Sequence, residues 1–126
     1  MRSPITLVCR ETGETYDAAQ PRWRSERGGM LDIAFTPVFD PDSVADRAPT
    51  LWRYREALPL PDGVTPVSLG ESVTPLVRIS FGGIPVLVKQ DHLFPTGSFK
   101  DRGTALMLSR LFHLGVGHVI EDSSGN

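Results

Sequence analysis

The chain has 126 residues, of which 40% are hydrophobic and 22% charged, and its formal net charge is −2. This composition excludes a disordered or collagen-like chain, and the nearly balanced charge excludes the basic surface typical of nucleic-acid-binding proteins. No apolar run is long enough to cross a bilayer, and the N-terminal residues lack the apolar core of a signal peptide, so we expect a cytoplasmic protein without a membrane partner. The single cysteine, Cys9, excludes an internal disulfide.

The first segment, residues 1–35, contains two short stretches that end in glycine, CRETG from Cys9 and RSERGG from Arg24. Their three-residue steps have the spacing of the C-x-x-C-G knuckles of a zinc ribbon, but Thr12, Arg24 and Arg27 stand at the other three ligand positions. Because a structural zinc needs four N, S or O ligands and arginine cannot serve as one, we expect no metal here. We interpret the segment as a degenerate zinc-ribbon-like unit; two unrelated turns around a buried cysteine are the alternative.

The second segment, residues 36–75, is a proline-rich arm. Its many prolines limit the backbone to extended stretches and turns, apart from one short helix predicted near Leu51 to Ala57. Trp52 and Tyr54 are expected to pack this arm, and contact with another subunit is the alternative.

The third segment, residues 76–126, begins with two predicted strands on either side of a hairpin turn at Gly82-Gly83. The predicted elements are strands Leu76 to Ser80 and Val86 to Gln90, a helix from Phe99 to Leu114, and a strand from His118 to Glu121. The order strand, helix, strand predicts a βαβ unit with parallel strands, and therefore an α/β fold with an open parallel sheet. The loops at Lys100 and Ser123 both follow strand ends, so we expect them to face one crevice.

Lys100 lies in the stretch LFPTGSFKDRG, at the predicted start of the helix. Ser98 and Asp101 have the spacing of a capping box, with Asp in place of Glu. The positive end of the helix dipole disfavours an ammonium, so this position favours the neutral, nucleophilic amine. A solvated lysine paired with Asp101 is the alternative interpretation.

Three stretches together resemble a known family. PTGSFKDRG, EDSSGN and the earlier LGESVTPLVR are similar to the corresponding motifs of the fold type II pyridoxal phosphate-dependent enzymes, and most closely to those of the threonine synthases. Ser72 stands where glycine is usual in the last motif, and Phe94 where asparagine is frequent. The degenerate ribbon also fits, since many threonine synthases have a cysteine-rich ribbon at the N-terminus.

The resemblance implies pyridoxal 5′-phosphate as cofactor and assigns roles to particular residues. Lys100 would form the Schiff base with the cofactor aldehyde and later move protons on the substrate, and Asn126 would hydrogen-bond the 3′-hydroxyl of the cofactor. Ser123, Ser124 and Gly125 would receive the α-carboxylate of the substrate. Phe99 is expected to pack in the core, and Asp101 and Arg102 to be structural ion-pair partners.

The implied reaction is that of a lyase that converts O-phosphohomoserine and water to threonine and phosphate. Threonine dehydratase, cysteine synthase and cysteate synthase share the lysine segment and remain open, as does a non-catalytic homologue kept for protein contacts. In the family, the phosphate-cradling loop and the residue facing the pyridine nitrogen lie beyond the position of Asn126. We therefore expect a truncated N-terminal portion that is inactive alone. The substrate of the complete enzyme is expected to be a small amino acid, and a homo-oligomer is possible.

Overall fold

The computed structural model describes residues 4–121, and its first element group is a three-stranded antiparallel sheet. Strands β1 (Thr6–Cys9), β2 (Thr15–Asp17) and β3 (Leu31–Ala34) lie in the order β2-β1-β3. Side chains alternate across a strand, and Leu7 and Cys9 of the central strand are buried on the same face. This small sheet therefore has one face on the core.

The two glycine-ended turns meet beside Cys9. In the first, the Gly13 amide donates to the Cys9 carbonyl at 2.8 Å; in the second, the Gly29 amide donates to Ser25 Oγ at 2.9 Å. Hydrogen bonds with the Thr12 side chain, with neighbouring backbone groups and with the Ser25 side chain lower the pKa of the Cys9 thiol. Burial acts in the opposite direction and raises it. Ser25 is thus the residue of the second turn that faces the thiol.

Arg24 is exposed and donates from Nη1 to the Gly28 carbonyl at 2.8 Å, because its long charged side chain stays in water while Ser25 fits the buried position. Within residues 4–121, no group of three or more His, Cys, Asp or Glu side chains is arranged to hold a metal ion. The likeness to a zinc ribbon and the absence of metal stay predictions.

The arm contains a short helix α1 (Pro41–Val44) and a 3₁₀ helix (Leu51–Ala57), the latter at the predicted position. Asp40 caps α1 through a hydrogen bond from the Asp42 amide at 3.1 Å. The 3₁₀ helix is interrupted at Tyr54, whose backbone angles are not helical. Short, interrupted helices of this kind are what a proline-rich chain can form.

Glu71 holds the arm together from inside. Its side chain is 0% exposed and accepts hydrogen bonds from Trp52 Nε1 at 3.0 Å, Ser68 Oγ at 2.9 Å and the Leu69 amide at 2.9 Å. Trp52 therefore packs the arm, as predicted, and it does so through its indole N–H as well as its ring.

Strands β4 (Leu76–Phe81) and β5 (Ile84–Lys89) form an antiparallel hairpin in the register Leu76↔Lys89 to Phe81↔Ile84. Gly82 and Gly83, both with positive φ (57° and 82°), make the two-residue turn that the sequence predicts. A two-residue turn can only return the chain antiparallel to itself.

The predicted parallel βαβ sheet is not confirmed within the described residues. Residues 118–121 form no strand, and within the described chain β5 pairs only with β4, so both sheets are antiparallel. Local apolar residues favour a strand at His118 to Glu121, but a strand forms only where a neighbour supplies the hydrogen bonds, and none of the described segments lies there.

Helix α2 (Asp101–His113) is the long helix that the sequence predicts, starting two residues later and ending one residue earlier than expected. It is joined to the arm through Ser109, whose Oγ accepts from the Val67 amide at 2.8 Å, and to the N-terminal sheet through Arg110, which donates to the Ala18 carbonyl at 2.8 Å. No helix within residues 4–121 combines the length and the apolar character needed to cross a membrane.

The Glu71 contacts give a stability prediction. Glu71→Ala leaves the indole N–H, a hydroxyl and a backbone amide unpaired in a buried site, so we expect the free energy of unfolding to fall by about 3 kcal/mol or more. Chemical denaturation measures the change. The exposed Glu26→Ala is the matched control and should stay within about 0.5 kcal/mol of the unsubstituted protein; equal effects of the two changes would contradict the proposed importance of this buried carboxylate.

A second prediction concerns acid stability. Hydrogen bonds from Arg47 at 2.6 and 3.1 Å, with a further one from Arg55, lower the pKa of Glu56 from 4.5 to about 2. A carboxyl with a lowered folded-state pKa stabilises the fold above its unfolded pKa, and this stabilisation is lost as pH falls.

We therefore expect Glu56→Gln to reduce the dependence of stability on pH between about 4.5 and 2. Thermal unfolding at several pH values tests this. Glu26→Gln, at an exposed position, serves as control, and a Glu56→Gln curve that keeps the full slope over this window would show that Glu56 is not the titrating group.

Candidate functional site

Lys100 is held at the end of a tight loop between β5 and α2. After a 3₁₀ turn (Asp91–Leu93), the Gly97 amide donates to the Phe94 carbonyl at 2.7 Å, with Gly97 at a φ of 75° that favours glycine. The Lys100 amide then donates to Ser98 Oγ at 3.2 Å. The side chain of Lys100 is exposed at the N-terminus of α2, where the sequence predicts it.

The carboxylate of Asp101 points back into this loop. It is 5% exposed and accepts hydrogen bonds from the Thr96 amide at 3.0 Å and from Thr96 Oγ1. The predicted capping box, in which Asp101 would reach the Ser98 amide, is therefore wrong, because Thr96 offers two donors in place of one. The acid still lies at the positive end of the helix dipole, which stabilises it.

As a result, the amine of Lys100 is not neutralised by its neighbour. Within residues 4–121, no carboxylate lies within ion-pair distance of Lys100 Nζ, and the alternative of a lysine paired with Asp101 does not hold. An exposed primary amine without a counter-ion, on a rigid loop, is chemically available to a carbonyl compound.

A second set of polar contacts ties the loop to the preceding motif. Asp91 accepts from Thr74 Oγ1 at 2.5 Å and from Arg102 Nη1 at 3.0 Å, and Lys89 Nζ lies 3.9 Å from the same carboxylate. The guanidinium of Arg102 also stacks over the Phe94 ring, 4.4 Å from its centre. These contacts join the segment before β4, the end of β5, the loop and the first turn of α2.

Two expectations about the loop need correction. Arg102 was expected to pair with Asp101, but it pairs with Asp91, because Asp101 is turned toward Thr96. Phe99 was expected in the core, but 67% of it is exposed. Phe99 precedes α2, so the geometry of the loop decides its position. The apolar periodicity of a helix predicts burial only for residues within the helix.

Sequence reasoning did not single out Thr74 and Asp91 for the site. Thr74 belongs to the LGESVTPLVR motif, and Asp91 comes two residues after the end of β5. Loops at strand ends are frequent positions for functional side chains, which is the signal that would have pointed to Asp91. Its partners come from distant parts of the chain, so only the folded structure identifies them.

The other predicted site residues, Ser123, Ser124, Gly125 and Asn126, lie outside the described residues. Their roles in holding the substrate carboxylate and the cofactor hydroxyl therefore stay predictions. So does the proximity of their loop to Lys100.

The chain matches the model of one protein family and several threonine synthases. Residues 67–126 match the family described as pyridoxal-phosphate dependent enzyme. The threonine synthase of Methanocaldococcus jannaschii is 38% identical over 94% of this chain, and that of Methanosarcina acetivorans is 30% identical over 95% of it. The threonine synthase of a Synechocystis strain is 39% identical over 72% of the chain.

These relatives are much longer than the chain. It spans 32%, 31% and 25% of their respective lengths. No solved structure matches it significantly. The family match covers the hairpin, the Lys100 loop and α2, and the threonine synthases of the two methanogens extend the similarity over nearly all of the chain. Residues 67–126 therefore match the pyridoxal-phosphate dependent enzyme family, and over nearly its whole length the chain is similar to threonine synthases.

Proposed function

We propose that the protein containing this chain is a pyridoxal phosphate-dependent lyase of the threonine synthase type, converting O-phosphohomoserine and water to threonine and phosphate. The observation that supports this most directly is the state of Lys100. Its amine is exposed at a helix start, and the adjacent Asp101 carboxylate is occupied by Thr96. A lysine that must react with an aldehyde needs such an unneutralised, accessible position.

Among the described residues, Lys100 fits the cofactor on chemical grounds. Lys100 would hold it covalently, and the ring, when bound, supplies an electron sink for chemistry at the substrate carbons. Lys100 would also accept a proton from one substrate carbon and donate it to another. Ser123, Ser124 and Gly125 would bind the substrate carboxylate through hydroxyl and amide donors, and Asn126 would hydrogen-bond the cofactor ring hydroxyl.

Two pairs of described residues would position the lysine. Thr96 and Asp101 fix the loop immediately before it, and Asp91 and Arg102 fix the first helical turn immediately after it. Holding reacting groups in the productive geometry contributes strongly to enzymatic rates, so small displacements of this loop are costly. These residues act through Lys100 and are positioning residues.

A different reaction of the same cofactor is the main competing function, since threonine dehydratase, cysteine synthase and cysteate synthase share the lysine segment. The names of the relatives favour threonine synthase. Supplying O-phosphohomoserine, threonine or an activated serine to the purified protein separates these reactions. Release of phosphate from O-phosphohomoserine with formation of threonine supports the proposal, and turnover of another substrate alone contradicts it.

A non-catalytic role in protein contacts is the second alternative. It predicts a protein that takes up no cofactor. An absorbance band of the cofactor bound to lysine, recorded on the purified protein, distinguishes the two possibilities, since a contact protein would show none.

The lysine assignment can be tested chemically because the chain has only two lysines, Lys89 and Lys100. Borohydride reduction of the cofactor-loaded protein, followed by peptide mapping, should place the label on Lys100. Lys100→Ala should abolish activity with little change in stability, because the side chain is exposed and makes no ion pair among the described residues.

Lys89→Ala is the matched control for this experiment. Lys89 donates to the Thr74 carbonyl at 3.3 Å and lies 3.9 Å from the Asp91 carboxylate, so its removal weakens contacts around the loop but leaves the Lys100 amine in place. A label on Lys89, or full activity of Lys100→Ala, would contradict the assignment.

The positioning role of Asp91 gives a further prediction. Asp91→Asn removes the charge that holds Arg102 while keeping a side chain of the same size, so we expect kcat/KM to fall by about tenfold or more through displacement of the loop. The rate at which borohydride traps the cofactor on Lys100 should fall as well. Asp46→Asn, at an exposed position outside the loop, should change neither quantity, and Asp91→Glu should recover part of the loss.

A purely structural role for Asp91 would lower stability without altering the trapping rate of the folded protein. That result, measured at a temperature where the variant is fully folded, would contradict the positioning role.

A further inference from the structure

A pocket lies at the end of α2 that is opposite Lys100. It has a volume of about 280 Å³ and is formed where the N-terminal sheet, the arm and the last turn of α2 meet. Arg110 comes ten residues after Lys100, which corresponds to about 15 Å along the helix axis. The pocket is therefore distinct from the lysine loop, and none of the residues assigned above to the reaction lines it.

Arg110 supplies the positive charge of this pocket. Its guanidinium donates to the Ala18 carbonyl at 2.8 Å, and within residues 4–121 no carboxylate lies within ion-pair distance of it. Partial burial lowers the pKa of Arg110. A guanidinium carries five N–H donors, so a partly desolvated one bonded to a single carbonyl has donors left for an anionic group.

Carboxylates line the same pocket. Asp17 lies at the end of β2, and its Oδ1 accepts from the Ala19 amide at 2.8 Å; Asp62 lies on the arm side. The Asp17 carboxylate opposes the entry of a polyanion such as inorganic phosphate, because like charges in one cavity repel each other. A ligand with one negative and one positive group satisfies both kinds of lining residue.

The remaining wall is mainly apolar. It consists of Pro4, Ile5, Leu60, Pro61, His113 and Leu114, with Ala18 and Ala19 beside Asp17. Ligand pockets commonly combine such apolar walls with a few polar groups that fix orientation. The volume suits a small molecule with a short apolar side chain.

We propose that this pocket binds a free amino acid with an apolar side chain, its carboxylate on Arg110, its ammonium on Asp17 and its side chain against the apolar wall. The site is independent of the reaction proposed for Lys100. Such a ligand pairs with both the Arg110 cation and the Asp17 carboxylate of the same cavity.

Leucine is the probe for the test, together with analogues that lack one charge each. Isothermal titration of the cofactor-loaded protein should show saturable binding of L-leucine at millimolar concentration. L-leucinamide, which has no carboxylate, and N-acetyl-L-leucine, which has no ammonium, should bind at least about tenfold more weakly.

The same titrations are repeated on Lys100→Ala, so that leucine reacting with the cofactor is not mistaken for binding to the pocket. Binding that disappears in Lys100→Ala would place leucine at the lysine site and overturn the proposal. Binding that persists supports a separate site, and this outcome does not depend on whether the reaction proposed for Lys100 is correct.

Variants locate the site. Arg110→Gln keeps a donor for the Ala18 carbonyl but removes the charge, and it should weaken leucine binding by about tenfold. Arg78→Gln, at an exposed position in β4, is the matched control and should leave binding unchanged. If Arg110→Gln does not fold, Asp17→Asn and the analogue series still decide the matter, since Asp17→Asn should weaken leucine but not isocaproate.

Several outcomes would overturn the proposal. They are an absence of saturable leucine binding, equal binding of leucine and leucinamide, unchanged binding in a folded Arg110→Gln protein, and displacement of leucine by inorganic phosphate that itself binds more tightly. The last result would show a simple anion site.

Discussion

The geometry around Lys100 depends on the direction of one carboxylate. Because Asp101 accepts two hydrogen bonds from Thr96, it closes the loop onto the start of α2 and satisfies a backbone amide that would otherwise lack a partner. The same carboxylate directed at Lys100 would neutralise the amine and leave the loop open. A single side chain therefore shapes the loop and keeps the lysine available, and its position at the positive end of the helix dipole stabilises this arrangement.

Helix α2 connects the lysine loop to the rest of the molecule. Three of its side chains make polar contacts with separate segments: Arg102 with Asp91, Ser109 with the Val67 amide and Arg110 with the Ala18 carbonyl. Only a few of its residues are buried, so directional hydrogen bonds, more than apolar packing, fix how the helix lies against the arm and the N-terminal sheet. The lysine loop and the pocket at the far end are held by the same helix.

Local elements were predictable because their causes are local. Two adjacent glycines specify a two-residue hairpin turn, an apolar run bounded by Gly115 specifies α2, and closely spaced prolines restrict the arm to short helices and turns. The parallel sheet is not confirmed among the described residues for the opposite reason. Whether a stretch such as residues 118–121 becomes a strand depends on a neighbour that hydrogen-bonds to it, and strand propensity does not supply that neighbour.

The sequence by itself determined the position of Lys100 at a helix start, the hairpin before it and the family to which the motifs belong, since each is encoded in a contiguous stretch. Only the tertiary structure decided which partners the charged side chains take. Asp101 hydrogen-bonds to Thr96 instead of Ser98, Arg102 pairs with Asp91 instead of Asp101, and Ser25 is the buried residue of the second turn beside Cys9. Hydrogen bonds and ion pairs depend on distances of a few ångströms between groups, and spacing along the chain fixes those distances only within a single element.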